Sequence, residues 1–279
     1  MNAIKRCLEF ILFPPIKVNK ALLTQRLHHK TVLITGATFG IGEALCYQIA
    51  DIDCRLILVA RTTEKLETIK QQITSQKATV HVFSVNLSDE QQLNEFIKIL
   101  SQFTIDIFIN NAGKSICRPI MQSLDRYHDF QRTMQLNYFA PVKLCLALIP
   151  ELQKNKGQII NVSAINVLLA PTPYWAAYQA SKAAFDQWLN CASSELAINK
   201  ITVSSTYLPL VKTRMIAPTK AYQQAPAMRA EQAAMRINNL LINRKTYYKP
   251  WWSIWAQLTS VLLYPLWLKI TQYYLRNKK

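Results

Sequence analysis

The sequence predicts an α/β fold, a doubly wound parallel sheet with helices on both faces. Three observations carry this. Apolar, β-branched runs of four to seven residues recur along the chain. They are continuously apolar rather than alternating, as strands covered on both faces must be. Helical patterns fill the intervals between them, which implies parallel strands with crossover connections. With 279 residues, half of them hydrophobic and 18% charged, the chain can bury a large core and is not disordered. Its five glycines exclude collagen-like and glycine-rich chains.

In order, the strand patterns are 31–35 (TVLIT), 55–59, 79–85, 106–109, 158–162 and 201–207. Helical patterns cover 41–51, 63–76, 89–102, 127–153, 176–198 and 227–243. Asp89 with Gln92 reads as a helix entry of the capping-box type. No repeat or linker divides residues 28–245, which read as one domain between a basic, apolar arm (1–27) and a Trp-rich tail (246–279).

The net charge of +17 is uneven: +5 over residues 1–30, zero over 31–195 and +12 over 196–279. Basic ends on a neutral body suit an anionic membrane or a polyanion, against the plainer reading of a solvated surface. No nucleic-acid motif accompanies them, so nucleic acid is not an expected partner. Six cysteines without a C-x-x-C pair read as buried thiols in a reducing compartment, here the cytoplasm. Four scattered histidines show no metal-ligand spacing. Near the N-terminus, Lys5 and Arg6 precede an apolar run broken by Glu9 and ended by Pro14 and Pro15. It has no cleavage site, which argues against a signal peptide, and is shorter than the roughly 20 residues of a span.

Residues 250–268 are uncharged, include Trp251, Trp252, Trp255 and Trp267, and are flanked by Arg244, Lys245, Lys249, Lys269, Arg276, Lys278 and Lys279. Ser253, Gln257 and Ser260 form a polar stripe at helical spacing opposite Trp251, Trp255, Leu258 and Leu262. Such a stripe favours lying in the membrane interface, peripheral on the inner face, over crossing it. A cover over the protein's own cleft or a subunit interface is the other reading.

Gly36, Gly40 and Gly42 cluster in the turn 35–42, between the first strand and its helix. Such a turn lets backbone approach a pyrophosphate at a helix N-terminus, a dinucleotide signature in this context. At the end of the second strand, Arg61 stands where an acid would bind a ribose 2′-hydroxyl, which favours NADP over NAD. Tyr178 and Lys182, four apart, share one helix face. A nearby ammonium lowers a phenol's pKa toward working pH, as acid-base catalysis requires.

Taken in order, residues 35–42, Asn110 to Gly113, Asn137, strand 158–162 with Ser163, Tyr178/Lys182 and 209–213 resemble the short-chain dehydrogenase/reductase family. Residues 110–138 and 207–222 resemble its bacterial fatty acyl-CoA reductase branch. The resemblance implies a Rossmann-like sheet of about seven strands and hydride transfer between nicotinamide C4 and a carbonyl or alcohol carbon. It implies Tyr178 as acid/base, Lys182 as holder of the nicotinamide ribose and tuner of Tyr178, Asn137 as holder of a relay water, and Ser163 as a catalytic hydroxyl. It assigns NADP to Gly36, Thr38, Phe39, Gly40, Ile41, Gly42, Arg61, Asn86, Leu87, Asn111, Ala112, Gly113, Tyr178, Lys182, Pro209, Val211 and Thr213. The expected activity is NADP(H)-dependent reduction of a carbonyl, or oxidation of a hydroxyl, on a long-chain or lipid-like substrate, with fatty acyl-CoA reduction to an aldehyde as its specific form. Pairing through 127–153 and 176–198 implies a homo-oligomer.

Three departures stand out. Ala164 replaces the second serine of the family's Asn-x-Ser-Ser, 14 residues before Tyr178 where 13 is usual. That register allows Ser163 to supply the hydroxyl instead. The alanine at 164 also motivates the alternative of a non-catalytic, membrane-associated NADP-binding protein. Asn86 replaces an adenine-contacting aspartate, and Leu210 replaces the glycine of Pro-Gly.

Overall fold

Side chains of a strand alternate between its faces, so each continuous apolar run feeds two cores. The computed structural model describes residues 3–74, 76–219, 222 and 224–277. Its elements begin with α1 (Ala3–Leu12), α2 (Lys20–Leu27), β1 (Thr31–Thr35), α3 (Ile41–Ile49), β2 (Arg55–Ala60), α4 (Thr63–Thr74) and β3 (Thr79–Ser84). They continue with α5 (Glu90–Leu100), β4 (Ile107–Asn110), α6 (Tyr127–Met134), α7 (Ala140–Lys154), β5 (Gln158–Ala164), α8 (Ala176–Ile198) and β6 (Thr202–Leu208). The chain closes with β7 (Val211–Lys212), β8 (Met228–Arg229), α9 (Ala230–Asn243), β9 (Tyr247–Tyr248), α10 (Ser253–Leu262) and α11 (Tyr264–Arg276).

Seven parallel strands form one sheet in the order β3-β2-β1-β4-β5-β6-β9, a Rossmann-like arrangement. All six strand patterns read from the sequence are there. The seventh strand is only two residues long, pairs Ser205 with Tyr247 and Thr206 with Tyr248, and lies past residue 245. On one face, Val32, Ile34, Leu56, Leu58 and Ile160 meet Leu23 and Leu27 of α2, Leu45 and Ile49 of α3, and Ile237 and Leu241 of α9. On the other, Leu33, Ile57, Phe108 and Ile159 meet Phe96 of α5, Leu144 and Leu148 of α7, and Phe185 and Leu189 of α8.

The helix expected over 127–153 is interrupted. Residues Gln135–Phe139 form a π turn between α6 and α7. Pro141 has no N–H to give to the Asn137 carbonyl, so the α-helical ladder cannot pass this point unbroken. Asp89 caps α5 as expected, accepting from Gln92 N at 3.0 Å. Gln92 Oε1, however, accepts from Asn86 N at 2.9 Å rather than from the cap's own N–H.

The thiols divide evenly. Cys46, Cys54 and Cys145 are buried, and burial raises their pKa values, that of Cys54 to about 12. Cys7, Cys117 and Cys191 are exposed, which corrects the expectation of buried thiols throughout. The N-terminal arm is fastened to the body by Glu9, which pairs with Lys212 at 2.7 Å and accepts from Ala227 N at 3.2 Å.

The tail forms two helices rather than one. The break falls at Leu263, where Pro265 in the first turn of α11 cannot continue the ladder from α10. The polar stripe is turned inward: Ser253 is buried and donates to Pro250 O at 2.6 Å, and Ser260 Oγ accepts from Ala170 N at 3.1 Å. The opposite face, with Ile254, Trp255, Leu258, Val261 and Leu262, is exposed. Among the described residues, no helix is long and apolar enough to cross a membrane.

Candidate active site

The strand order reverses at β1 and β4, and in open parallel sheets a crevice forms at such a point beyond the strands' carboxyl ends. The turn after β1 lies at this crevice. Gly36 and Gly40 adopt φ of +67° and +61°, the left-handed region that side chains avoid. A Cβ on Gly42 would lie 2.3 Å from Gly36 O, so the third glycine is required by close packing rather than torsion. Asn111, just past β4, ties the turn down. Its Nδ2 donates to Thr35 O and Gly36 O, both at 3.0 Å, while the backbone N–H groups of Asn111 and Ala112 donate to Thr35 Oγ1 at 3.1 Å.

Around this clamp is a cavity of about 410 Å³, within the range of small-molecule and cofactor sites. It is lined by Gly36, Thr38, Phe39, Ile41, Arg61, Asn86, Leu87, Asn111, Ala112, Gly113, Pro209, Val211 and Thr213, together with Ser163, Tyr178 and Lys182. Of the expected site residues, Gly40, Gly42 and Asn137 are not part of its wall. The two glycines shape the turn from behind. Asn137 is buried, with its amide accepting from Lys114 N and donating to Lys114 O and Ser181 Oγ, each at 2.9 Å. It therefore positions the strand end carrying Gly113. A Cβ on Gly113 would stand 3.4 Å from Asn137 Oδ1 and 3.5 Å from Lys182 Nζ.

Tyr178 and Lys182 come from the first two turns of α8 and open on the same cavity. Their electrostatics differ from the expectation. Burial pushes the Tyr178 phenol up to about 12, with Tyr222 adding to the effect, instead of the ammonium drawing it down. Lys182 is itself pushed down to about 8 by burial, against the pull of Asp186, and its Nζ donates to Val162 O at 3.1 Å. Desolvation outweighs pair attraction because both groups sit in protein of low polarity. Asp186, two turns beyond Tyr178, has its carboxyl raised by burial, although Tyr207 and Asn190 donate to it at 3.2 and 3.1 Å.

Ala164 lines the cavity and offers no donor. Ser163 is buried beside Asp186, close enough to lower that carboxyl, yet its Oγ makes no hydrogen bond of good geometry among the described residues. Sequence reasoning missed Asn166, Trp175, Arg214 and Tyr222, all in the wall. Trp175 and Tyr222 pack with ring centroids 5.3 Å apart, and the Arg214 guanidinium lies 3.9 Å above the Phe39 ring. These residues lie outside the main strands and long helices, Asn166 in a single 3-10 turn and Trp175 at the cap of α8, so no spacing marked them. Far from the cavity, exposed His28, His29 and Asp53 bring their ligand atoms within 4.8 Å of one another. His29 Nδ1 lies 3.2 Å from the Asp53 carboxylate.

The family described as short chain dehydrogenase matches residues 30–224. The chain is 44% identical to a fatty acyl-CoA reductase of Acinetobacter baylyi over 228 residues, covering 81% of this chain and 77% of that protein. A fatty acyl-CoA reductase of Mycobacterium tuberculosis is 38% identical over 225 residues, 79% of this chain and 76% of that protein. Among solved structures, a short-chain dehydrogenase from Sphingobium yanoikuyae in complex with NADPH shares the fold, with a TM-score of 0.71 at 24% identity over 78% of this chain and 86% of that one.

Replacing Asn111 by Ala leaves the carbonyls of Thr35 and Gly36 without their shared donor. Chemical denaturation is expected to show a loss of about 1–3 kcal/mol, the cost of leaving buried acceptors unpaired. Calorimetric titration is expected to show weaker NADPH binding.

Proposed function

This chain is an oxidoreductase of the short chain dehydrogenase family, and on that premise we propose that it uses NADPH to reduce long-chain acyl thioesters to aldehydes. The observation that carries the proposal is one cavity holding both a glycine cradle and the Tyr178/Lys182 pair. The cradle fits a dinucleotide: Gly42 is packed too tightly for any side chain, and the start of α3 offers free N–H groups to phosphate oxygens. Arg61, exposed at the cavity rim, would meet a 2′-phosphate, and Thr213 and Lys182 would hold the nicotinamide end. When bound, NADPH supplies the hydride.

Burial keeps Tyr178 protonated at neutral pH, so its Oη holds the proton that a carbonyl oxygen takes up as the carbonyl carbon is reduced. A thioester reduced in this way becomes a hemithioacetal, which breaks its C–S bond to give aldehyde and free thiol. The Lys182 ammonium would supply charge beneath the phenol and resupply its proton. Pro141 leaves the Asn137 carbonyl able to accept from a relay water. Similarity to fatty acyl-CoA reductases supports the substrate class, and the basic C-terminal region suits an anionic carrier such as CoA.

The tail and α1 would dock on an anionic membrane. The exposed apolar face of α10 and α11 adjoins α1, where Trp251 Nε1 donates to Ile11 O at 3.0 Å and Ile4, Leu8 and Phe10 are exposed. Lys and Arg crowd both ends of the chain, and each adds about 1 kcal/mol near an anionic surface. Exposed Leu146 on α7 and Ile198 on α8 would serve pairing with a second copy.

Purified protein is expected to oxidise NADPH in the presence of hexadecanoyl-CoA, and Tyr178→Phe to lower the rate about 10²–10⁴-fold while NADPH still binds. NADPH binding without turnover of any carbonyl by the unmodified chain would favour a non-catalytic role. Because the Lys182 pKa is lowered, its charge is present below about pH 8 and lost above it. The pH profile of reduction is therefore expected to fall above about 8, with Lys182→Arg moving that limb upward. For the carbonyl's hydrogen-bond donor, Ser163→Ala and Asn166→Ala separate the two candidates in the wall; loss of the true donor costs about 10²–10³ in kcat. In sedimentation with phosphatidylglycerol vesicles, Trp255→Glu combined with Leu258→Glu is expected to release the protein, and salt to weaken binding of the unmodified chain.

A further inference from the structure

Two hydrogen bonds from the tail helices α10 and α11 end on the loop following β5. Ser260 Oγ accepts from Ala170 N, and Trp267 Nε1 donates to Pro171 O, each at 3.1 Å. The helices are thus held over the loop that also forms one wall of the catalytic cavity. Between loop and helices remains a groove of about 330 Å³, walled mainly by Leu169, Ala256, Leu263, Leu266, Trp267 and Ile270. Its wall is almost wholly apolar. Asn166 lines both this groove and the catalytic cavity, so the two spaces meet at that residue. Its Oδ1 is buried without a hydrogen-bond partner among the described residues, an unsatisfied polar atom in the wall between the two spaces.

We infer that this groove is the binding site for the alkyl chain of the substrate. The inference rests on the reading of the catalytic cavity as a thioester reductase. A long acyl thioester has its reactive carbonyl at one end of a linear apolar chain. With the carbonyl beside Tyr178, the chain needs an apolar path out of the cavity, and the groove lies directly across Asn166 from it. The helices that wall the groove turn their outer face toward the proposed membrane contact, so a chain could enter from the lipid side without crossing water. The same groove could accept an alkyl chain from a membrane lipid, and the experiment separates the two sources.

Full-length protein is titrated with a hexadecanoyl thioester brominated near its methyl end, and tryptophan fluorescence is recorded. Quenching is expected, with a large part of it lost in Trp267→Phe. In kinetics, each methylene that enters the groove is expected to lower KM by up to about fourfold. Ala256→Trp, which fills the groove, is expected to collapse the ratio of KM values for butanoyl and hexadecanoyl thioesters, with circular dichroism verifying the fold. Quenching indifferent to Trp267, or an unchanged KM ratio in Ala256→Trp, overturns the groove even if thioesters are reduced. Quenching at Trp267 without reduction of any thioester leaves the groove standing and overturns the reaction. Quenching by brominated phospholipid vesicles but not by the thioester assigns the groove to membrane lipid and overturns the substrate reading.

Discussion

The candidate site depends on the clamp between the ends of β1 and β4. Asn111 and Thr35 hold two strand ends together at the point where the sheet's winding reverses and the backbone would otherwise open. Four hydrogen bonds satisfy groups that neither strand ladder can reach. They also set the distance between the glycine turn and the Gly113 loop. With no side chain at Gly36 or Gly42, the Asn111 amide lies directly against the turn, and the crevice above stays open for a dinucleotide. Tyr178 and Lys182 matter only because α8 delivers them to the same crevice.

Burial then decides the chemistry of that pair. A phenol and an ammonium one helical turn apart attract in water, and the simple expectation is an acidified tyrosine. Inside the protein both lose solvation, and that loss is the larger effect. The tyrosine holds its proton more firmly than a free phenol, and the lysine holds its own less firmly than a free amine.

The tail inverts the usual arrangement of a surface helix. Its serines face the body, while Ile254, Trp255, Leu258 and Leu262 face outward. Two contiguous helices with an apolar outer face, joined to a similar N-terminal helix and flanked by basic residues, form an exposed apolar patch of the kind that marks an interaction surface. The inward polar face anchors the helices to the loop after β5, and this attachment links the proposed membrane contact to the catalytic cavity.

The sheet was legible because parallel strands must be apolar on both faces, a pattern visible in runs such as TVLIT and in the spacing of the helices between them. The glycine turn was legible for a related reason: backbone with positive φ or without room for Cβ leaves glycine as the residue that fits. The two-residue β9 was not, since a strand that short has no period, nor were Trp175, Tyr222 and Asn166, which lie in segments too short to show one. The polar stripe of the tail could be read from spacing, but the direction it faces could not. By itself the sequence determined the strand-helix alternation, the cradle and the Tyr178/Lys182 register, because these depend on local geometry and covalent chemistry. Only the tertiary structure decided the protonation bias of the pair, the orientation of the tail and the groove beneath it, because desolvation and packing depend on what distant segments place around each group.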